Sequence, residues 1–354
     1  MTARPTADAA GTAPAAPVRI GLIGCGRIGT HHATTLARRL SEAELVAVAD
    51  PFEAAARRLG ASLGVEWLTD PQALIDDQRI EAVAITCAST AHADLVVAAA
   101  EAGKAVFVEK PMAMTLADAD RAIAAAEAAG IPLQVGFNRR FSRDFAVAHD
   151  AVATGRIGTP QLLRSLTRDP GLADPGVVPP WTIFTQTLIH DFDALNWFNA
   201  GARAVEVSVM ADALVAPAFK DSGLLDTAVV TIRYDNGAIA VAEASFSAAY
   251  GYDVRGEVFG SAGMVQAGSP AYLSTTLWTG DGVAAPTARQ DTDLMGDAYA
   301  AELAAFCRAV RSGGPTLVHG HDARAALRVA LACIEAVETG MTVAVRDTDR
   351  EVAA

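Results

Sequence analysis

Residues 18–40, "VRIGLIGCGRIGTHHATTLARRL", decide the fold of the N-terminal half of the chain. A short apolar run, "VRIGLI", leads directly into the glycine pattern Gly24-x-Gly26-x-x-Gly29, and a helical pattern follows at once. The glycine pattern alone is weak evidence, but a strand, a glycine turn and a helix in immediate succession are typical of a dinucleotide-binding fold. In that fold the glycines permit a tight turn, close approach of a pyrophosphate and packing of the helix on the strand. A glycine turn without a cofactor is the structural alternative.

The second strand, "AELVAVAD", ends in an acidic residue. This residue, Asp50, lies roughly 20 residues beyond the last glycine, as the dinucleotide fingerprint requires. Its carboxylate would accept hydrogen bonds from the adenosine ribose hydroxyls and repel a 2′-phosphate, so NAD is expected in preference to NADP. In the glycine turn, the residues expected to contact the cofactor are Gly24, Cys25, Gly26, Arg27, Ile28 and Gly29.

Strands and helices continue to alternate as far as residue 138, which predicts a parallel sheet with right-handed crossovers. Ligands of such sheets bind at the carboxyl ends of the strands. Ser89 or Thr90 could also cap the helix that follows them, and a cap is compatible with contact to a cofactor. The further cofactor-binding candidates at this edge are Thr86, Ser89, Thr90, His92, Glu109 and Lys110.

The composition is that of a globular protein with two domains. The chain has 354 residues, of which 51% are hydrophobic and 19% charged. A formal net charge of −13 argues against a nucleic-acid or anionic-membrane partner. Residues 1–16 are rich in Ala, Pro and Thr, lack the apolar centre of a signal peptide, and are expected to be a disordered tail. Since no apolar run is long enough to span a bilayer either, we expect a cytoplasmic protein.

Neither the cysteines nor the histidines show the spacing of a metal site. The four cysteines are scattered without a CxxC pair, so we expect reduced, buried thiols. The seven histidines show no zinc pattern. No metal is therefore expected.

The second half of the chain is predicted to contain an antiparallel sheet. In "LLDTAVVTIRYDNGAIAVAEASF" (224–246), two β-rich runs are separated by Asp235-Asn236-Gly237, a strong hairpin signal. Two helices are expected near 297–312 and 320–338. Further strands are expected at 204–211, 253–260, 262–267 and 272–279.

The segment "VEKPM" (108–112) places a lysine at the end of a strand. The proline after it fixes its own φ and biases Lys110 away from helical geometry. If Lys110 faces the nicotinamide end of a cofactor, its ammonium group could stabilise a developing alkoxide or relay its proton. A surface Glu-Lys pair is the alternative interpretation of this fragment.

Several separated motifs, in this order, resemble the Gfo/Idh/MocA family of oxidoreductases, and most of all its inositol 2-dehydrogenases and related cyclitol or sugar dehydrogenases. They span residues 18 to about 268. The motifs are "GLIGCGRIG", "VAVADP", "HADLVVAAAEAGKAVFVEKPMAMT", "LQVGFNRRF", "GRIGTPQLLRSLTRDP", "IHDFDALNW" and "YGYDVRGEVFGSAG".

The resemblance implies an α/β domain followed by an α+β domain. The first, at 17–138, would be an NAD-binding Rossmann domain with a doubly wound parallel sheet. The second, at 139–354, would carry an open, mostly antiparallel sheet flanked by helices, and its C-terminal helices could pack back on the first domain. The broad face of the second sheet forms the subunit interface in the family, so a homodimer or homotetramer is expected.

The resemblance also implies the catalytic residues. In the inositol dehydrogenases the lysine of "EKP" and the histidine of "IH-D/E-x-D" flank the reacting hydroxyl, and an aspartate four residues before the histidine assists it. Lys110 and His190 match the first two, but the aspartate position is occupied by Gln186. His190 would take the hydroxyl proton while Lys110 polarises the oxygen. An amide cannot ionise, so Gln186, one helical turn from His190, is expected to bind substrate and shift the substrate preference.

Other residues are expected to line the substrate pocket. Arg140, which follows Arg139, could line the pocket or form an ion pair on the surface. Asp191 and Asp193 are expected to serve in packing or in local caps rather than in catalysis. Sheet packing is an alternative for Tyr252. Leu294 and Met295 replace an aromatic and a basic residue of the relatives, which weakens the case for myo-inositol itself as the substrate. The substrate-binding candidates besides Gln186 are Asn138, Arg139, Asp169, Tyr252 and Tyr299.

The expected function is NAD-dependent oxidation of a ring hydroxyl of a small cyclitol or sugar to the ketone, with the hydride passing to nicotinamide C4. Two alternatives remain: a lyase or glycosidase-type enzyme that oxidises its sugar transiently, and a non-catalytic NAD-binding sensor. Net formation of NADH from a free polyol distinguishes the first function from both alternatives.

Overall fold

The computed structural model describes residues 16–172 and 174–348. The tail expected at 1–16 therefore lies outside the described residues, except for Ala16. Among the residues that are described, no helix combines the length and apolar character needed to cross a bilayer.

The N-terminal part is built on a parallel sheet of six strands, as predicted. The strands are β1 (Val18–Ile23), β2 (Ala43–Ala49), β3 (Glu66–Leu68), β4 (Ala82–Ile85), β5 (Ala105–Glu109) and β6 (Leu133–Gly136). The helices are α1 (Arg27–Arg38), α2 (Glu53–Leu63), α3 (Pro71–Asp76), α4 (His92–Glu101) and α5 (Leu116–Ala129). The strand order is β3-β2-β1-β4-β5-β6, and the order reverses between β1 and β4. That switch point is where an open α/β sheet binds its ligands.

The C-terminal part carries a seven-stranded sheet. Its strands are β7 (Pro160–Arg168), β8 (Ala204–Asp212), β9 (Thr227–Tyr234), β10 (Ile239–Ser245), β11 (Asp253–Gly260), β12 (Gly263–Ala267) and β15 (Val343–Ala344), while β13 (Leu277–Thr279) and β14 (Gly282–Ala284) pair separately. The order is β12-β11-β7-β10-β9-β8-β15. Only β7 and β10 run parallel, so the prediction of a mostly antiparallel sheet is confirmed. The helices are α6 (Arg143–Ala153), α7 (Leu188–Phe198), α8 (Asp291–Leu294), α9 (Gly296–Ser312) and α10 (Gly320–Thr339).

The predicted hairpin at 235–237 connects β9 and β10, which pair antiparallel. Gly237 has φ +89°, a conformation that L side chains rarely adopt, so the turn depends on this glycine. The strand predicted at 272–279 is wrong for most of its length, since only Leu277–Thr279 forms a strand and it does not join the main sheet. Gly268, with φ +81°, turns the chain away from the sheet edge before this segment.

The C-terminal helices return to the first sheet. Leu303, Phe306 and Cys307 of α9 lie in the same hydrophobic cluster as Val18, Ile20 and other residues of the first sheet. Helix α9 therefore packs against the first sheet. Residues of α8 and α9, among them Asp291 and Tyr299, line a cavity together with Arg27 and Ile28 of α1.

Candidate active site

Two adjoining cavities open at the carboxyl ends of the strands of the first sheet. The cavity at the glycine turn has a volume of about 680 Å³, and the one at the end of β5 has about 330 Å³. Both are lined by Arg27, Ile28 and Cys87, so they share a wall. A larger, mainly apolar cavity joined to a smaller, more polar one is suited to a dinucleotide whose reactive end meets a polar substrate.

The glycine turn leaves the space that a pyrophosphate needs. Gly24 has φ +100°, and an added Cβ would lie 2.4 Å from the backbone nitrogen of Cys87. At Gly26 an added Cβ would meet no atom within 4 Å, so the backbone there is open to a ligand. At Gly29 an added Cβ would lie 1.8 Å from the carbonyl oxygen of Gly24, which shows how closely α1 packs on the turn.

Asp50 is fixed at the wall of the larger cavity. Its Oδ2 accepts a hydrogen bond from the backbone nitrogen of Cys25 at 2.7 Å, and its Oδ1 accepts one from the nitrogen of Phe52 at 2.9 Å. The negative charge is thus held where the sequence predicts the adenosine ribose. Of the other residues predicted to bind the cofactor, those that line this cavity are Gly24, Gly26, Arg27, Ile28 and Thr86.

The remaining candidates for cofactor binding divide into three groups. Cys25 and Gly29 contribute through the backbone and through packing. Thr90 is exposed and lines neither cavity. The alternative that Ser89 or Thr90 caps α4 is wrong, because the N-cap of α4 is Ala91 and no side chain forms a capping hydrogen bond there. The sequence also missed the apolar rim of the larger cavity, because such residues look like ordinary surface positions; it includes Pro51, Phe52, Pro71, Ala88 and Leu95. The last group lines the smaller cavity and consists of Ser89, His92, Glu109 and Lys110.

Every residue predicted for catalysis or substrate binding lines the smaller cavity. Tyr252 and Tyr299, which come from distant parts of the chain, lie in the same wall as the predicted acid-base residues. The full set is Lys110, Asn138, Arg139, Asp169, Gln186, His190, Tyr252 and Tyr299.

Lys110 directly follows β5, and its side chain reaches the segment that carries Gln186. The Lys110–Pro111 peptide is cis. Lys110 Nζ donates to the carbonyl oxygen of Gln186 at 3.0 Å and to its Oε1 at 3.5 Å. Burial lowers the pKa of Lys110, while the carboxylates of Glu109, Asp291 and Asp169 oppose this shift. The alternative of a surface Glu-Lys pair is therefore wrong.

Gln186 does not stand in regular helical register with His190. It belongs to a π-helical turn, Ile183–Thr187, that precedes α7. Such a turn carries more residues than an α-helical turn, so the spacing between the two residues is not regular α-helical spacing, but both side chains line the smaller cavity. Its Nε2 donates to the hydroxyl of Ser89 at 3.1 Å, so the amide links Ser89 to Lys110.

His190 is a neutral base in this environment. Burial lowers its pKa well below the ordinary value, and the positive charges of Lys110 and Arg139 lower it further. Its ring packs edge-on against Phe137, with the ring centres 5.7 Å apart. Nδ1 is buried without a partner among the described residues, whereas the ring reaches the smaller cavity. His190 therefore contributes to the cavity wall and is not enclosed within its own helix.

Arg139 is held by a buried ion pair. It is 3% exposed, and its Nη1 lies 2.6 Å from Oδ1 of Asp191. The hydroxyls of Ser165 and Thr167 donate to the same carboxylate, at 2.6 and 2.7 Å. The guanidinium group lines the cavity but is already committed to Asp191, which holds it beside His190.

Arg140 forms a second buried ion pair. It is 5% exposed and contacts Asp193 at 2.6 Å and Asp322 at 3.2 Å. Surface pairing of Arg140, one of the two alternatives from the sequence, is therefore wrong. Asp191 and Asp193 serve in packing, as expected.

Asp169 and Asp291 supply two carboxylates to the smaller cavity. Burial and the neighbouring charge of Asp291 raise the pKa of Asp169 to about 7. Asp291, in α8, accepts from Arg27 Nη1 at 2.7 Å and from the hydroxyl of Tyr299 at 3.2 Å. Asp291 is not recognisable from the sequence, because its partner Arg27 lies 264 residues away and no local pattern marks it.

His92 connects the loops at the edge of the cavity. Its Nδ1 lies 2.8 Å from the carbonyl oxygen of Pro111, and its Nε2 lies 3.1 Å from that of Cys87. The side chain is buried, and burial lowers its pKa. His92 thus holds the loop that follows Lys110 against the loop that both cavities share.

Comparison with known protein families identifies both parts of the chain. Residues 18–137 match the family model for the Gfo/Idh/MocA oxidoreductases, described as an NAD-binding Rossmann fold. Residues 145–266 match the model for the Gfo/Idh/MocA C-terminal domain. The prediction of an N-terminal NAD-binding Rossmann domain is thus confirmed.

Individual relatives match over nearly the whole chain. The chain is 38% identical over 330 residues to myo-inositol 2-dehydrogenase of Thermotoga maritima, covering 91% of this chain and 96% of that protein. It is 34% identical over 329 residues to the NAD(+)-dependent scyllo-inositol 2-dehydrogenase of Bacillus subtilis, with 92% and 96% covered. The crystal structure of scyllo-inositol dehydrogenase from Lactobacillus casei, with bound NAD(H) and scyllo-inositol, superposes with a TM-score of 0.89 at 28% identity, over 93% of this chain and 99% of that one.

Proposed function

The chain belongs to the Gfo/Idh/MocA oxidoreductase family, and on that premise we propose that it oxidises a ring hydroxyl of a cyclitol or sugar to the ketone with NAD. The observation that carries this proposal is the convergence of Lys110 and His190 in one polar cavity beside the glycine turn. Relatives that act on inositol support a cyclitol as the substrate class.

The residues at the larger cavity fit NAD. The open backbone at Gly26 accommodates a pyrophosphate at the N-terminus of α1. The fixed carboxylate of Asp50 suits two free ribose hydroxyls and disfavours a 2′-phosphate. When bound, NAD supplies the acceptor for the hydride.

His190 takes the proton of the reacting hydroxyl. A neutral imidazole is needed for this task, and the lowered pKa of His190 keeps it neutral at physiological pH. The proton goes to Nε2, since Nδ1 is enclosed by protein. The resulting imidazolium is disfavoured beside Lys110 and Arg139, so His190 gives the proton up to solvent water after hydride transfer and returns to its neutral form.

Lys110 stabilises the substrate oxygen as negative charge develops on it. Its Nζ donates to the carbonyl oxygen and to Oε1 of Gln186, which leaves its third hydrogen to turn to the substrate. Gln186 then contributes orientation without charge. We propose that this neutral amide shifts the preference among ring hydroxyl patterns, so that the substrate differs from that of relatives with an aspartate there.

A substrate screen tests the proposed function. Purified protein is offered inositol isomers, other cyclitols and aldoses with NAD or NADP, and absorbance of the reduced cofactor is followed. We expect net NADH formation from at least one polyol, and its loss in His190→Ala and Lys110→Met. Sugar cleavage without net NADH would instead support a lyase or glycosidase-type enzyme, and NAD binding without turnover of any compound would support a sensor.

We propose that residues 139–354 also form the subunit interface of a homodimer or homotetramer. One apolar row crosses four strands on the outer face of the second sheet, because its members lie opposite one another in the strand pairings: Met264, Phe259, Leu162 and Ile239. Each of these side chains is between 43% and 53% exposed in the single chain. A contiguous apolar patch of this kind is typical of a protein interface. Light scattering of wild type and Phe259→Glu measures the molar mass of the assembly. A monomeric wild type would contradict the proposed homodimer or homotetramer.

We propose the cytoplasm as the compartment. The four cysteines are free thiols, and three of them are buried. Unpaired thiols are typical of a reducing compartment, which is also where an NAD-dependent enzyme finds its cofactor. Fractionation of the native organism with an antibody to this chain would test the location.

A further inference from the structure

Three ionisable side chains meet in the protein interior behind Lys110. They are His32 of α1, Glu109 at the end of β5 and Glu302 of α9. Their ligand atoms lie within 4.8 Å of one another, and all three residues are buried. Only Glu109 also reaches the wall of the smaller cavity. The cluster therefore joins the N-terminal part of the fold, which supplies His32 and Glu109, to the C-terminal part, which supplies Glu302. Glu109 is also the residue that precedes Lys110.

The contacts within the cluster are unequal. His32 Nε2 lies 2.7 Å from Oε1 of Glu109, and a carboxylate in that position requires the proton to be on Nε2. Oε2 of Glu109 accepts from the backbone nitrogen of Lys110 at 3.1 Å. By contrast, both carboxyl oxygens of Glu302 are buried and have no hydrogen-bond partner within the described part of the chain.

Glu302 cannot be ionised beside the carboxylate of Glu109 unless a hydrogen-bond donor or a positive charge compensates it. Glu302 is 0% exposed, and the rings of Phe107 and Tyr299 enclose His32 at centre distances of 5.4 Å. Two negative charges at this separation in an apolar interior repel each other, and one of the two groups keeps its proton. Glu109 has the hydrogen-bond donors and Glu302 has none, so the proton belongs on Glu302.

We propose that the His32–Glu109–Glu302 cluster positions the charge of Lys110: Glu302 is a neutral carboxylic acid, His32 holds Glu109 as a carboxylate, and Glu109 keeps Lys110 as an ammonium ion. This inference rests on the role of Lys110 in the proposed function. His32, Glu109 and Glu302 are positioning residues in it, since they act on substrate only through Lys110.

The electrostatics of the site agree with this arrangement. Burial and Glu109 raise the pKa of Glu302 well above its usual range. Burial also opposes ionisation of Glu109, but His32 and Lys110 outweigh it and lower the pKa of Glu109.

Among the charges around Lys110, Glu109 contributes most to keeping the ammonium form. Burial lowers the pKa of Lys110, and Glu109 is the strongest of the groups that oppose this. Asp291 and Asp169 also raise the pKa from across the cavity, whereas Arg27 lowers it. His190, on α7, is neutral and adds no charge. If Glu109 is neutralised, Lys110 should therefore lose its proton at a lower pH.

The lysine content makes a direct test practical. The chain contains three lysines, Lys104, Lys110 and Lys220. Protein labelled with [ε-13C]lysine should therefore give three signals in a pH titration by NMR, and Lys110→Met identifies one of them. Lys104, bound to the carbonyl oxygens of Asp77 and Ile80, and Lys220, paired with Asp212, serve as internal references.

Two isosteric variants separate the roles of the carboxyl groups. Glu109→Gln should lower the pKa of Lys110 by about one unit or more, because it removes the nearest negative charge. Glu302→Gln should leave the pKa of Lys110 unchanged, since an amide replaces a group that is already neutral. His32→Leu should act in the direction of Glu109→Gln, and His32→Gln, which retains a donor, should restore the wild-type value.

Several outcomes would overturn the inference. An equal fall in the pKa of Lys110 in Glu302→Gln would mean that Glu302 is ionised. An unchanged pKa in both Glu109→Gln and His32→Leu would mean that the cluster does not set the charge of Lys110. A stoichiometric metal ion in the purified protein that is lost in Glu302→Gln would make the cluster a metal site instead. The titration needs no substrate, so a failure of the proposed dehydrogenase activity would be recognised separately, in the substrate screen.

Discussion

Lys110 Nζ lies 3.0 Å from the backbone carbonyl oxygen of Gln186 and 3.5 Å from its side-chain Oε1. The backbone contact does not depend on the identity of residue 186. The side-chain contact does, and it places an uncharged acceptor where a carboxylate would form an ion pair with Lys110. The identity of this residue therefore affects the charge of the site more than its geometry.

Replacing Gln186 by Asp should change the substrate preference. The new carboxylate would raise the pKa of Lys110 and accept hydrogen bonds from substrate hydroxyls, so we expect kcat/KM to change by about ten-fold or more on some cyclitols and sugars relative to others. The measurement is kcat/KM on a panel of inositol isomers and sugars. Gln186→Asn is the control, because it has the same length as Asp but no charge. An unchanged ranking of substrates in Gln186→Asp would contradict this prediction.

The pH dependence of the reaction should separate His190 from Asp169. The pKa of His190 is lowered, so it remains a base below the pH at which an ordinary histidine would be protonated, and kcat should persist on the acid side. Asp169, with a pKa of about 7, loses its negative charge as the pH falls through neutrality. If its carboxylate binds substrate hydroxyls, KM should rise below about pH 7 in wild type.

The matched variant for this experiment is Asp169→Asn, in which KM should no longer change near neutral pH. The profiles of kcat and KM between pH 5 and pH 9 would be recorded for both proteins. A neutral inflection that survives in the variant would exclude Asp169 as its source.

The local features of the fold could be predicted from the sequence, whereas features that depend on distant contacts could not. The glycine turn at 24–29 and the hairpin at 235–237 are fixed by backbone conformations that few residues adopt, so both are visible in short segments. The strand expected at 272–279 had a suitable composition, but strand formation requires a partner, and the chain leaves the sheet at Gly268.

The same distinction applies to the site. Lys110 and His190 stand in motifs, so the sequence places both correctly in one cavity. The side-chain direction of Gln186 depends on a π-helical turn, which the residue spacing does not reveal. Asp291 depends on a pairing between the first helix and a segment near the C-terminus, and such a pairing leaves no pattern in either segment.

Asp169→Asn should stabilise the folded protein at alkaline pH. The folded-state pKa of Asp169 is about 7, against an ordinary value of 3.8 in the unfolded chain, so its carboxyl group favours folding most below pH 3.8 and this contribution is lost as the pH rises through 7. At pH 8 the buried charge is fully present, and its removal should raise the free energy of unfolding by on the order of 2 kcal/mol. Urea denaturation at pH 8 and at pH 4 measures the difference. Equal effects at the two pH values would contradict the assigned burial of this charge.

Asp50→Asn should weaken the preference for NAD over NADP. The amide keeps one oxygen, which can accept from only one of the backbone nitrogens of Cys25 and Phe52, and it removes the charge that repels a 2′-phosphate. We expect the ratio of kcat/KM for NAD to that for NADP to fall by roughly ten-fold to a hundred-fold, since the loss of one fully placed charge is worth about 1.4–3 kcal/mol. Steady-state kinetics with both cofactors provide the measurement. A ratio that stays constant would mean that the ribose is recognised elsewhere.

Removing one partner of the buried ion pair between Arg139 and Asp191 should destabilise the protein more than removing both partners. Arg139→Met leaves the carboxylate of Asp191 in the interior with only the hydroxyls of Ser165 and Thr167, and we expect a loss of about 3–5 kcal/mol in the free energy of unfolding. Arg139→Met combined with Asp191→Leu removes both charges and should recover a large part of that loss, because the desolvation cost disappears together with the attraction. Urea denaturation of the wild type, the two single variants and the double variant forms a complete thermodynamic cycle. If the losses in the free energy of unfolding of the two single variants add up to that of the double variant, the two charges do not interact. Arg139 would then be free to bind substrate.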